Sequence, residues 1–166
     1  RQKELIAEYN LPLISLTVNM PGPYKSLPVC SEIFRAGLSE LFVRLKGNGE
    51  KGESEKPVIY QEAMELLTGP EAFVVVDADS NSLKELVIEI ENLHPLGRLL
   101  DFDVIDRNGR SVSRDDLGYP RRKCLLCEQD AHACARSRAH SLDDLMAKIQ
   151  SIAELYFMNK EQGRMD

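Results

Sequence analysis

The segment Leu99-Leu100-Asp101-Phe102-Asp103-Val104-Ile105 constrains the fold of this chain more than any other. On a β-strand, residues two apart share a face. Asp101 and Asp103 therefore project side by side from one surface, with Phe102 and Val104 on the other. Such a strand belongs to a sheet with one packed face and one open face. Two adjacent carboxylates repel each other and are costly to desolvate. A divalent cation relieves both problems, and the pair is a usual arrangement for holding Mg²⁺ against a phosphate-bearing substrate. Two solvated carboxylates on a half-exposed strand equally need no function. Just upstream, His94 and Arg98 are expected to bring nitrogen donors near the same spot.

The rest of the chain supplies the layers that such a strand needs. Residues 1–10 read as a helical lead-in, and Leu13 to Val18 alternates as a strand that Pro21-Gly22-Pro23 stops. Helical spacing of Val29, Ile33, Phe34, Leu38, Leu41, Phe42 and Leu45 predicts a helix from Pro28 to Lys46, with Ser26 as N-cap and Gly47 as its end. Gly47 to Lys56 reads as a mobile polar loop. Val58 to Leu67 fits a strand or, with the helix formers of Gln61 to Leu67, a short helix; it is read as a strand, with Gly69-Pro70 turning into the β-prone Phe73 to Val76. Ser82 with Glu85 is expected to open a helix through Leu93, its buried stripe being Leu83, Leu86, Val87, Ile90 and Leu93. After the Asp-x-Asp strand, Arg107-Asn108-Gly109 turns into a short strand near Ser111. The last third is expected to be helical. Ser141 with Asp144 opens a final helix whose inward residues are Leu142, Leu145, Met146, Ile149, Ile152 and Tyr156. This order predicts an α/β (α+β) two-layer sandwich over residues 1–166 as one domain, with a mixed or antiparallel sheet covered on one face by helices.

Composition narrows the function classes. A net charge of −6 argues against a nucleic-acid binder, and no apolar run is long enough to span a membrane. No signal-peptide pattern opens the chain, which starts at Arg1 without Met, and the four cysteines fit free thiols or a metal site in a reducing, cytoplasmic setting.

Three further constellations carry chemistry. Gly22 and Lys25, between a strand and a helix start, offer close backbone approach and a cation to a phosphate; the same turn also reads as a simple change of direction. Cys124-Leu125-Leu126-Cys127, Cys134 and His140 form a ligand set for Zn²⁺, with His132 as an alternative ligand. Cys127 and Cys134 also read as small hydrophobes sharing one face of a helix. Arg136 and Arg138, with Arg121 and Arg122, are forks for phosphate oxygens or solvated surface charge.

Together these segments resemble one family. His94-Pro95-Leu96-Gly97-Arg98-Leu99 followed by Asp101-Phe102-Asp103-Val104 is similar to the signature of the apo-citrate lyase phosphoribosyl-dephospho-CoA transferases, also called holo-citrate lyase synthases. Pro21-Gly22-Pro23 with Lys25, and Arg122-Lys123-Cys124-Leu125-Leu126-Cys127-Glu128-Gln129 with Cys134, Arg136 and His140, resemble its other motifs, so the likeness runs from about Leu11 to His140. The resemblance implies a nucleotidyltransferase-like enzyme. Its donor would be triphosphoribosyl-dephospho-CoA and its acceptor a serine of the citrate lyase acyl carrier protein, with pyrophosphate leaving. Asp101 and Asp103 would hold Mg²⁺, with one of them as an alternative proton acceptor. Arg98 and Lys25 would contact phosphates, with Gly22 and Gly97 allowing close approach, and His94 would donate a hydrogen bond or cap the helix end. Arg136 and Arg138 would hold the donor or the carrier. The alternatives are the sister transferase that loads malonate decarboxylase and a non-catalytic binding module stabilised by zinc.

Overall fold

The computed structural model describes residues 1–21, 24, 25, 27–47 and 55–163. Gly22, Ser26 and most of the expected Gly47–Lys56 loop lie outside the described residues. Five strands form one antiparallel sheet in the order β2-β3-β1-β4-β5, where β1 is Leu13–Val18, β2 Val58–Leu66, β3 Gly69–Val76, β4 Leu100–Ile105 and β5 Ser111–Val112. Five helices surround it: α1 (Gln2–Tyr9), α2 (Pro28–Lys46), α3 (Ser80–Leu93), α4 (Ala131–Ser137) and α5 (Leu142–Glu161). The fold is α+β, with the sheet fully antiparallel.

Strand register assigns every side chain to a layer. Ile14, Leu16, Val18, Ala72, Val74, Val76, Leu100, Phe102 and Val104 point to one face and form the main core with the apolar stripes of α2, α3 and α5. Gly37 lets α2 lie close on β4, since a Cβ there would meet Leu100 Cδ2 at 2.4 Å. The opposite face was expected to be bare. Instead α1 covers one end of it, packing Leu5 and Ile6 on Leu13, Phe73 and Val75. What stays open is the other end, where Thr17 lies between Glu71 and Asp101; Ser15, between Phe73 and Asp103, is already buried.

Local chemistry moved several expected boundaries. The β2–β3 hairpin turns at Leu67-Thr68, so Gly69, at φ 103°, and Pro70 belong to β3. Asp79, whose side chain accepts the Ser82 N–H, caps α3, so the helix begins before the Ser82–Glu85 pair. Leu93 is 73% exposed rather than part of the buried stripe. Leu142 is 48% exposed, because it sits in the first turn of α5, before that helix settles on the core at Met146. The last third is only partly helical: from Gly118 to Asp130 there is neither helix nor strand, save one bridge pairing Lys123 with Asp130. Cys127 lies in that segment and Cys134 in α4, so the two do not share a helix face.

Gly97 belongs to this packing. It opens a 3₁₀ turn between α3 and β4, and an added Cβ would stand 2.4 Å from the Ile90 carbonyl oxygen and 2.6 Å from that of Glu91. Backbone cannot move aside cheaply, so Gly97→Ala is expected to cost about 3 kcal/mol. Chemical denaturation measures this, and an unchanged midpoint would contradict the packing role.

Candidate active site

The half of β4 that carries Asp101 pairs with β1 on one edge, but among the described residues no strand lies on its other edge, because β5 pairs only with Val104 and Ile105. Side chains of α3 replace the missing ladder. Glu91 Oε1 accepts the Phe102 N–H at 3.1 Å, and Lys84 Nζ donates to the Phe102 carbonyl at 3.1 Å. Both side chains are buried, at 3% and 6% exposure. Glu91 also pairs with Arg114 and, at 3.3 Å, with Arg122. The pair leaves the Phe102 backbone satisfied and holds the carboxylates of Asp101 and Asp103 on the open face.

Asp101 is half exposed and accepts a bond from Arg122 Nη1 at 3.3 Å. The same guanidinium donates through Nη2 to the carbonyls of Gly97 and Leu100, so its position is fixed from three sides. Asp103 is open to solvent by area, yet protein atoms crowd its carboxyl. This desolvation, with the Asp101 charge second, pushes its pKa above the ordinary carboxylate value; Lys84 and Arg122 oppose the shift. Burial pushes the Lys84 ammonium down, with Glu91 and Asp103 acting against it. Two neighbouring carboxylates, with the Asp101 charge raising the proton affinity of Asp103, present only oxygen donors and suit a hard cation such as Mg²⁺.

A cleft of about 760 Å³ opens beside Asp101 and Arg122. Arg138 and His132 line its polar side, and Leu142, Leu145 and Ile149 its apolar side. Arg138 ends α4 in the left-handed conformation, at φ 51°. Lys25 lines a smaller cleft with Thr17 and Glu71, on the strand end next to Asp101.

Other residues singled out in the sequence lie elsewhere. His94 is the C-cap of α3, and its Nδ1 accepts the Leu96 N–H at 3.1 Å. Its ring lies 5.2 Å from that of Tyr156, in the helix layer, and burial lowers its pKa. It caps a helix end on the far side of the sheet from the carboxylates. Arg98 Nη2 is tied to the carbonyls of Lys123 and Cys124. Arg136 is exposed on α4 and does not line the cleft. Cys124, Cys127, Cys134 and His140 come together, their ligand atoms all within 4.8 Å of one another.

The sequence offers Arg122 as a phosphate fork and as part of a family motif but not as the partner of Asp101, and it does not single out Lys84, Glu91 or Arg114. Lys84 and Glu91 did leave a signal. They stand seven residues apart, beside the apolar stripe of α3, where a surface pair would not be expected. Arg114 left none.

The sequence profile of a family described as apo-citrate lyase phosphoribosyl-dephospho-CoA transferase matches residues 1–156. A Vibrio cholerae protein named probable apo-citrate lyase phosphoribosyl-dephospho-CoA transferase is 44% identical over 160 residues, covering 94% of this chain and 85% of that protein. Proteins from Citrobacter koseri and Escherichia coli, named apo-citrate lyase phosphoribosyl-dephospho-CoA transferase, are each 38% identical over 152 residues, covering 92% of this chain and 80% of theirs.

Proposed function

The chain belongs to the apo-citrate lyase phosphoribosyl-dephospho-CoA transferase family and is a transferase, and from that premise we propose that it moves phosphoribosyl-dephospho-CoA from triphosphoribosyl-dephospho-CoA onto a serine of the citrate lyase acyl carrier protein. The observation that carries this reading is Asp101, tied to Arg122 at the mouth of a cleft with both basic and apolar walls, with Asp103 next to it on the same strand face. The attacking serine oxygen forms a bond to the phosphorus next to the ribose. The bond from that phosphorus to the pyrophosphate oxygen breaks, and a phosphodiester remains. The serine proton passes to a carboxylate oxygen of the pair, directly or through one water.

Asp101 and Asp103 are the residues that would hold Mg²⁺, which when bound neutralises phosphate charge as it builds. Arg122 orients Asp101 and adds positive charge beside the reacting phosphate. Arg138 meets donor phosphates along the cleft, and Leu142, Leu145 and Ile149 take up apolar parts of the donor. Lys25 supplies a further cation near the strand end. Among the described residues, no helix is long and apolar enough to cross a membrane, which suits a carrier and donor met in solution.

Donor and carrier contacts separate on α4. Arg138→Ala is expected to raise the donor KM about 10-fold, the effect of losing one charge-assisted contact. Arg136→Ala is expected to leave the donor KM alone and raise the carrier KM, most strongly at low salt. Steady-state kinetics at two ionic strengths read both. Unchanged constants for both variants would remove α4 from the site.

Pyrophosphate release tests the reaction. Release must require both the donor and the apo-carrier of citrate lyase. Release with the apo-carrier of malonate decarboxylase instead would reassign the chain to the sister transferase, and release with neither would sink the reading.

A further inference from the structure

Between Ser113 and Leu145 only two residues are buried, Cys124 and Cys134. The segment therefore has no hydrophobic core of its own, and its centre is a cluster of sulfurs. A stretch without regular structure such as Gly118 to Asp130 needs something else to hold it. We propose that Cys124, Cys127, Cys134 and His140 bind one Zn²⁺ as a closed structural centre. The centre fixes the segment carrying Arg122 against the carboxylate face.

The geometry fits zinc and excludes a disulfide. Cys127 Sγ and Cys134 Sγ are 3.5 Å apart, far beyond the roughly 2.05 Å of a sulfur–sulfur bond. A tetrahedron with metal–sulfur bonds of about 2.3 Å separates its sulfurs by about 3.8 Å. His140 Nε2 lies 3.3 Å from Cys127 Sγ, where the same tetrahedron requires about 3.5 Å. Backbone N–H groups of Leu126 and Cys127 point at the Cys124 sulfur, the environment a metal-bound thiolate needs. Three thiolates and an imidazole select zinc over hard cations, so this centre does not compete with the oxygen-only pair at Asp101 and Asp103. Four protein ligands leave no open position, which makes the site structural. On binding, the three thiols release their protons to solvent while the imidazole stays neutral.

The centre connects to the active site through the backbone. Cys124 N–H donates to the Gln129 carbonyl at 2.7 Å, and Ala131 N–H to that of Arg122 at 2.9 Å, closing a small loop around the cluster. Arg98 reaches the carbonyls of Lys123 and Cys124 from the turn before β4. Fixing Cys124 therefore fixes Arg122, two residues earlier.

Elemental analysis of the untagged wild-type protein, purified without chelator, tests the site. One zinc per chain is expected. Cobalt exchanged into the protein is expected to give thiolate charge-transfer absorption and intense tetrahedral ligand-field bands. His140→Ala is expected to weaken zinc by more than about 100-fold, beyond the loss of an outer-shell partner. Cys30→Ser, altering the cysteine outside the cluster, is expected to leave the zinc content unchanged. Removing zinc is expected to speed hydrogen exchange across residues 118–140. Wild-type protein that carries no zinc and takes up none would overturn the site, as would a cobalt spectrum without thiolate bands. Unchanged exchange after zinc removal would overturn its structural role.

Discussion

Replacing Asp101 or Asp103 with Asn is expected to lower kcat/KM for transfer by about 10³-fold or more, roughly 4 kcal/mol of transition-state stabilisation. Asn keeps the size and one oxygen but not the charge, so the loss measures the carboxylate rather than the packing. Stability should move the other way at Asp103. Its pKa is raised in the folded chain, chiefly by desolvation and then by Asp101. The folded state therefore binds this proton more tightly than the unfolded state does, and stability from this group falls as pH rises from the unfolded value through the folded one. Asp103→Asn removes that penalty. In metal-free buffer near neutral pH the variant should melt at or above the wild-type temperature, and the difference should shrink toward about pH 4, the ordinary carboxylate value. A variant that is inactive and stable marks a functional charge. One that is inactive and unfolded would place Asp103 in the scaffold instead.

Glu91→Ala is expected to be the most damaging single change to the scaffold. It leaves the Phe102 N–H without its acceptor and removes the carboxylate that faces Arg114 and Arg122. Breaking a buried ion pair by removing one partner costs about 3–5 kcal/mol. For a chain of this size that lowers Tm by roughly 10 °C. Glu91→Gln keeps an acceptor for Phe102 and loses only the charge, so it should fall between the two. Thermal unfolding of the three proteins gives the order. A Glu91→Ala protein melting within about 2 °C of wild type would mean that β4 holds its place without α3.

How far the sequence reveals this molecule depends on the range of the interaction. Strand β4 is legible because its alternation is local, and its two faces follow from the period of the strand. Helix α2 is legible over its whole length, because its stripe repeats for five turns and Gly47 ends it. Local ambiguity explains the small errors. Asp79 and Ser82 are both good caps, and only the path of the chain leaving β3 decides between them. Leu93 carries the right spacing, but the chain leaves α3 at His94 and nothing covers that last side chain.

The site divides in the same way. Asp101 and Asp103 announce themselves by their setting. The groups that hold them do not, because Lys84, Glu91 and Arg122 bond β4 residues 11 or more positions away in sequence, and Arg114 reaches Glu91 across 23. His94 and Arg98 stand next to the carboxylates in sequence, yet His94 turns into the helix layer beside Tyr156 and Arg98 is tied to the Lys123 and Cys124 carbonyls. Spacing brought Cys124, Cys127, Cys134 and His140 together as a group, whereas placing Cys127 and Cys134 on one helix failed because Asp130 starts that helix three residues too late.

On the proposed function, the carboxylate face and its cleft join a nucleotide-derived donor to a carrier serine. Intact mass of the citrate lyase apo-carrier, after incubation with this protein, triphosphoribosyl-dephospho-CoA and Mg²⁺, tests it most directly. A gain equal to the donor minus pyrophosphate is expected, and no gain with folded Asp101→Asn or Asp103→Asn protein. No gain with wild-type protein and a verified donor would contradict the reaction. A full gain with both Asn variants would contradict the site.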